Sequence, residues 1–157
     1  MEGLSSASSS NKHVFDMNED RITTDRAAIE RWLAAAAFNA YFRFRVGALA
    51  EGTCTLEVPF HEEFLRPGDV VSGPVFMAAA DVATWLAIAS LRGTEETWVT
   101  VDLKTAFLRP ARREPFRCTA RLLKVGHQLI YAVADCVLRD STLLSHHTVT
   151  YARAGER

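Results

Sequence analysis

No CxxC pair, no Cys/His cluster at metal-ligand spacing, no GxGxxG and no phosphate-loop signature occurs in the sequence, and each gap removes a class of function. Nucleotide-hydrolysing and redox chemistry have no motif to stand on. Val71, Ser72 and Gly73 lack the GxSxG frame of a nucleophile elbow. Cysteine is scarce: Cys54, Cys118 and Cys136 are odd in number and sit in strand-like runs, which predicts reduced, packed thiols in a cytoplasmic protein. An excess of charge is missing too. With 18 basic and 19 acidic residues and a net charge of −1, nothing global favours nucleic acid or an anionic membrane, so any anion site must be local. The first residues, MEGLSSASSSNKH, show no basic stretch followed by an apolar one, as a secretory signal would; their Ser-rich composition predicts a disordered lead over residues 1–20. The rest, residues 21–157, fits one domain, and 48% hydrophobic content is enough for its own core.

What the chain does have is one long oily run, residues 75–91 (VFMAAADVATWLAIASL), in which only Asp81, Thr84 and Ser90 are not apolar. A helix apolar all round must be buried on nearly every side. At about five turns it is short for a membrane span and carries a carboxylate, which predicts a core helix. Asp81 is then the anomaly. Burying an ionised carboxylate without partners costs several kcal/mol, so it is either tied down by hydrogen bonds or present for chemistry.

The flanking sequence reads as a wrapper for that helix. Asp25, with Thr24 before it, is a plausible cap for an amphipathic helix over residues 26–38, where Ile29, Trp32, Leu33 and Ala36 share a face. Residues 41–49 and 53–60 look like a hairpin, and residues 61–73, with Pro67 and Gly68, like a loop. Pro74 suits a first helical turn, with Ser72 or Gly73 as cap and free N–H groups facing the loop. Beyond Arg92 and Gly93, residues 99–108, 116–124, 128–138 and 142–151 read as strands. The first alternates as Val99, Val101 and Leu103 against Thr100, Asp102 and Lys104. The fold class is therefore α+β, an antiparallel sheet curling round one long helix.

A carboxylate about two turns into a helix, with polarising N–H groups at the helix start, is a usable arrangement for acyl transfer. Asp81 would orient water as general base or attack as nucleophile; the other reading is a structural Asp81 bonded to a neighbouring strand. Ser145, His146 and His147 invite a triad or metal reading, but adjacent strand residues point to opposite faces, so the two imidazoles cannot share one ion.

The run FLRPGDVVSGPVFMAAADVATWLAI, followed by VTVDLKTAFLRPA, LLKVGHQLIYAVADCVL and HHTVTYA, resembles the hot-dog fold acyl-CoA thioesterases of the phenylacetate-pathway (PaaI-like) family over roughly residues 33–152. The resemblance implies a curved antiparallel sheet around a central helix, subunits that pair their sheets edge to edge as a homodimer or dimer of dimers, and active sites at the dimer interface. It implies hydrolysis of a CoA thioester with no metal or dissociable cofactor. Position by position, the family's catalytic carboxylate falls on Asp81, its carbonyl-polarising Gly on Gly73, and a water-holding hydroxyl on Thr100, on the polar face of its strand. Where many members have an Asn and a His-Gly-Gly turn, this chain has Arg66 and then Ser72, Gly73 and Pro74. That removes groups that position the thioester; Ser72 is a candidate replacement, and Arg66 a candidate for a substrate carboxylate or phosphate.

Since CoA carries phosphates, Arg109, Arg112, Arg113, Lys124 and His127 are candidate contacts. Phe76, Met77, Trp85 and Phe107 are candidates for an acyl channel, with core packing as the other reading. The expected activity is acyl-CoA thioester hydrolysis. The alternatives are a non-catalytic acyl-CoA binding or sensing protein and, with the His beside Gly73 missing, less readily an enoyl-CoA hydratase or dehydratase.

Overall fold

The computed structural model describes residues 25–155; the expected lead over residues 1–20 and Thr24 lie outside them. The chain opens with α1 (Arg26–Ala35), capped by the Asp25 side chain, which accepts from the Ala27 N–H. This helix ends three residues sooner than its composition predicts. Residues 41 and 42 do not begin a strand: they belong to a short helix, α2 (Asn39–Phe42), closed by Arg43 in the left-handed region at φ 54°. The Asn39 side chain bonds the backbone of Phe44 through both its oxygen and its nitrogen, and this local pairing outcompetes the strand-like alternation of the sequence.

The hairpin itself forms as β1 (Arg45–Ala50) and β2 (Thr53–Val58), turned at Gly52 with φ 69°. Residues 61–73 are not wholly irregular. They hold a 3-10 turn (Glu62–Phe64) and a two-stranded ladder of β3 (Leu65–Arg66) and β4 (Val70–Val71). The long helix α3 (Gly73–Arg92) follows, then β5 (Trp98–Phe107), β6 (Phe116–Val125), β7 (Leu129–Val137) and β8 (Leu143–Arg153).

Six strands make one sheet in the order β1-β2-β6-β7-β8-β5, every pairing antiparallel, so β1 and β5 are its edges. This is the hot-dog arrangement, a sheet curled along one helix. At 20 residues with mean hydropathy 1.6, α3 would pass for a membrane span by length and composition, yet the sheet packs along it. Ala79, Ala80, Ala83 and Ala87 line its buried side; their short side chains let the helix lie close against Leu56, Cys118, Ala120, Ala134 and Cys136 of the inner sheet face. The three cysteines are buried and free, as their strand positions predict.

Candidate active site

The start of α3 is fixed before the helix begins. Val71 N–H donates to Ala111 O at 2.9 Å and Ser72 N–H to Phe64 O at 2.8 Å, while Arg113 pairs with both Glu62 and Asp69 to brace the preceding loop. Ser72 is the N-cap, but its hydroxyl makes no capping bond, and Pro74 removes one N–H from the first turn. No hydrogen bond from the Gly73 amide to a described residue is found, as for the first N–H groups of any helix. Beside it lies a cleft of about 440 Å³ lined by Arg66, Gly73, Phe76, Phe107 and Arg109. Arg109 donates to Leu143 O at 3.0 Å, and Arg66, among the described residues, only to its neighbour Pro67 O at 3.2 Å, so within them the Arg66 guanidinium keeps donors to spare.

Asp81 does not open into that cleft. It stands eight residues further along α3, about 12 Å by helical rise. Its carboxylate is half-buried at the β5 side of the sheet, where Thr100 Oγ1 donates to Oδ1 at 2.6 Å and the Tyr151 hydroxyl to the same oxygen at 2.7 Å. Among the described residues no hydrogen bond falls on Oδ2. The anomaly in the oily helix is thus resolved both ways: one oxygen is tied down by the strands and the other is left unengaged. Burial, reinforced by the charge on Asp81, pushes the Tyr151 phenol well above its ordinary range, so it stays a donor.

Thr100 reaches Asp81 because β5 breaks its alternation. Thr100 pairs with Tyr151 and Asp102 with Thr150, so Val101 is an extra residue, a β-bulge. Thr100 therefore faces Asp81 on the inner side of the sheet, with Leu103 and Thr105, whereas Asp102 and Lys104 face outward; it does not share the polar face the simple alternation assigns to it. The bulge is what re-aims it.

Trp85, one turn after Asp81 on the same side of α3, is half-buried and stacked on Trp32 of α1 with centroids 3.7 Å apart. Met77, one turn before, is exposed. The other candidates scatter. Arg112 stands on the surface, and Lys124 and His127 lie at the β6–β7 turn, where Arg92 at the end of α3 reaches Gly126 O, a helix length of about 30 Å from Gly73. Within one chain they do not meet the cleft. His147 is fully buried, held by Thr105 Oγ1 on Nδ1 and by Ser145 Oγ on Nε2, while His146 faces outward to Asp135, so the two do point apart. Sequence reasoning missed Tyr151 and Trp32 as site residues. The inward phase of Val149 and Tyr151 on the last strand was a signal for the first; the apolar face shared with Ile29 and Leu33 turned the second inward without naming Trp85 as its partner.

The thioesterase superfamily pattern matches residues 68–145, which runs from the loop before Gly73 through the site to β8. The chain is 26% identical over 127 residues, 81% of its length and 96% of the relative's, to a protein of Thermoplasma acidophilum named "Putative esterase". It is 34% identical over 93 residues to a protein of the same description from Saccharolobus solfataricus, covering 59% of this chain and 64% of that one. Among solved structures, the Escherichia coli PaaI protein of the phenylacetic acid degradation operon superposes with a TM-score of 0.75 at 17% identity, over 82% of this chain and 92% of that one. Pattern and relatives agree on a hydrolase, and the solved structure shares the fold: the chain belongs to the thioesterase superfamily.

Proposed function

We propose that the protein hydrolyses an acyl-CoA thioester to free acid and CoA, at a site assembled by two copies of the chain. The observation that carries this is the carboxylate of Asp81, anchored through Oδ1 and open at Oδ2 beside an edge strand. As general base, Oδ2 takes a proton from water while the water oxygen attacks the thioester carbonyl carbon; the C–S bond then breaks and the proton passes to the CoA sulfur. As nucleophile, Oδ2 attacks that carbon directly and the C–S bond breaks, releasing CoA as its thiolate; water then hydrolyses the resulting anhydride to the free acid and the restored carboxylate, and the proton set free passes to the thiolate. Either route draws only on water.

The carbonyl oxygen needs a donor, and the Gly73 amide at the N-terminus of α3 is suited to it. Separated from Asp81 by about 12 Å on the same helix, it cannot serve the same carbonyl from within one chain. A second copy removes the difficulty. β5 is an edge strand with Val99, Val101 and Phe107 exposed and Leu108 exposed just after it, and antiparallel pairing of two such edges would bring one copy's Gly73 toward the other's Asp81. Arg66 and Arg109, which flank Gly73, would then meet the anionic part of the substrate, and Met77 and Trp85 its acyl group.

The test is a panel of acyl-CoAs with a thiol-detecting dye, run on the native protein and on Asp81→Ala. Thiol release abolished in the variant supports the reading; release that persists undiminished refutes the role of Asp81. Binding that raises Tm without hydrolysis would identify a sensor, and loss of enoyl absorbance without thiol release a hydratase.

A further inference from the structure

Tyr151 has no part in the chemistry above, yet its hydroxyl is directed at Asp81 and lies beside Thr100. The ring is 3% exposed and packed among Ile88, Trp98, Ile130 and Val149. Its backbone is pinned on both sides, opposite Ile130 on β7 and Thr100 on β5. From that fixed base the phenol oxygen lies 2.7 Å from Asp81 Oδ1 and 3.0 Å from the Asp81 carbonyl oxygen. A buried phenol must find an acceptor, and this one finds two on a single residue.

A carboxylate on a free side chain rotates readily about χ2 and offers its two oxygens interchangeably. Here Thr100 and Tyr151 both donate to Oδ1, which ends that equivalence. The two donors are not alike. Thr100 is exposed on the edge strand, while Tyr151 is held by the core and spans the carboxylate and the main chain of the same residue. We infer that Tyr151 is a positioning residue for thioester hydrolysis: its hydroxyl locks Oδ1 so that Oδ2 is the oxygen presented to the reacting atoms. This rests on the proposed role of Asp81. The pinned geometry raises the fraction of molecules in which the base is aligned, and orientation of this kind acts on kcat rather than on substrate affinity.

Tyr151→Phe removes the oxygen and keeps the ring. The expected result is a fall in kcat of roughly tenfold to a hundredfold with KM within about twofold, and no further fall when Tyr151→Phe is added to Asp81→Asn. A kcat within twofold of the native value, or an equal loss in the Asp81→Asn background, overturns the inference. An arm independent of turnover follows the Asp81 carboxyl carbon by 13C NMR at pH 7, its resonance being the one missing in Asp81→Asn. Loss of the phenol donor to Oδ1 moves that resonance in Tyr151→Phe. An unmoved resonance overturns the contact. If the native protein releases no thiol from any acyl-CoA, the proposed function fails while this spectrum still decides on Tyr151. Should Tyr151→Phe not fold, fluorotyrosine incorporated at the tyrosines strengthens the donor and must move the same resonance; no movement overturns the inference.

Discussion

The ring of Phe107 lies directly over Gly73: a Cβ built there would sit 3.0 Å from Cζ and 3.3 Å from Cε1. Phe107 is 56% exposed, so its far end can swing aside. Gly73→Ala should therefore fold, at a cost of about 1 kcal/mol in urea unfolding. The displaced ring then intrudes on the cleft, and kcat/KM should fall roughly tenfold. Gly73→Ala combined with Phe107→Ala should recover most of that loss, because the space is returned.

Asp81→Asn and Asp81→Ala should part company in stability while agreeing in activity. The amide oxygen of Asn can still accept from Thr100 and Tyr151, so its Tm should stay close to native. Ala leaves the buried phenol without its carboxylate acceptor, a cost of about 1–3 kcal/mol by denaturant midpoint. Both should lose roughly a hundredfold or more in kcat.

Thiol chemistry offers a second check on the packing. Cys54, Cys118 and Cys136 are each 0% exposed, and burial, against a counteracting pull from the Arg26 charge, pushes the Cys54 thiol up to about 12. A thiol reagent at neutral pH should report no free thiol in the native protein and all three once it is denatured. The same result clears the dye assay of background from the enzyme itself.

The turn before β8 should impose a pH dependence of known sign. The Thr142 backbone N–H, 3.0 Å from Asp140 Oδ1, together with the Thr142 side chain, holds the Asp140 carboxyl below its ordinary range. A lowered folded value gives stability that is complete above the unfolded pKa and lost as pH falls through the folded one. Asp140→Ala should thus lie below native Tm at pH 7 and converge with it in acid. Ser141, next in the turn, sits at φ 68°, and Ser141→Gly should gain about 0.5–1 kcal/mol.

The central helix, the strands after it and the placement of His146 and His147 on opposite faces were legible because each follows from periodicity over many residues. Asp81 was legible as the one charge in an apolar run. The short helix at residues 39–42 was not, because it depends on the Asn39 side chain grasping Phe44 rather than on any repeat. The Tyr151 contact was hidden for a different reason: seventy residues separate it from Asp81, and only the closed sheet brings them together. Thr100 was named from resemblance but assigned the wrong face, since alternation counts residues and cannot see one that bulges.

That surplus residue makes β5 a strand in two halves. From Asp102 onward the chain keeps step with β8 for the sheet's sake, while the portion from Trp98 to Thr100 is free to keep a different step for the site's. Excise Val101 and the halves would fuse into a single rhythm, turning the threonine hydroxyl out to solvent and, two residues before it, the buried ring of Trp98 with it. One surplus residue thus holds both a hand on the carboxylate and a piece of the apolar wall behind it.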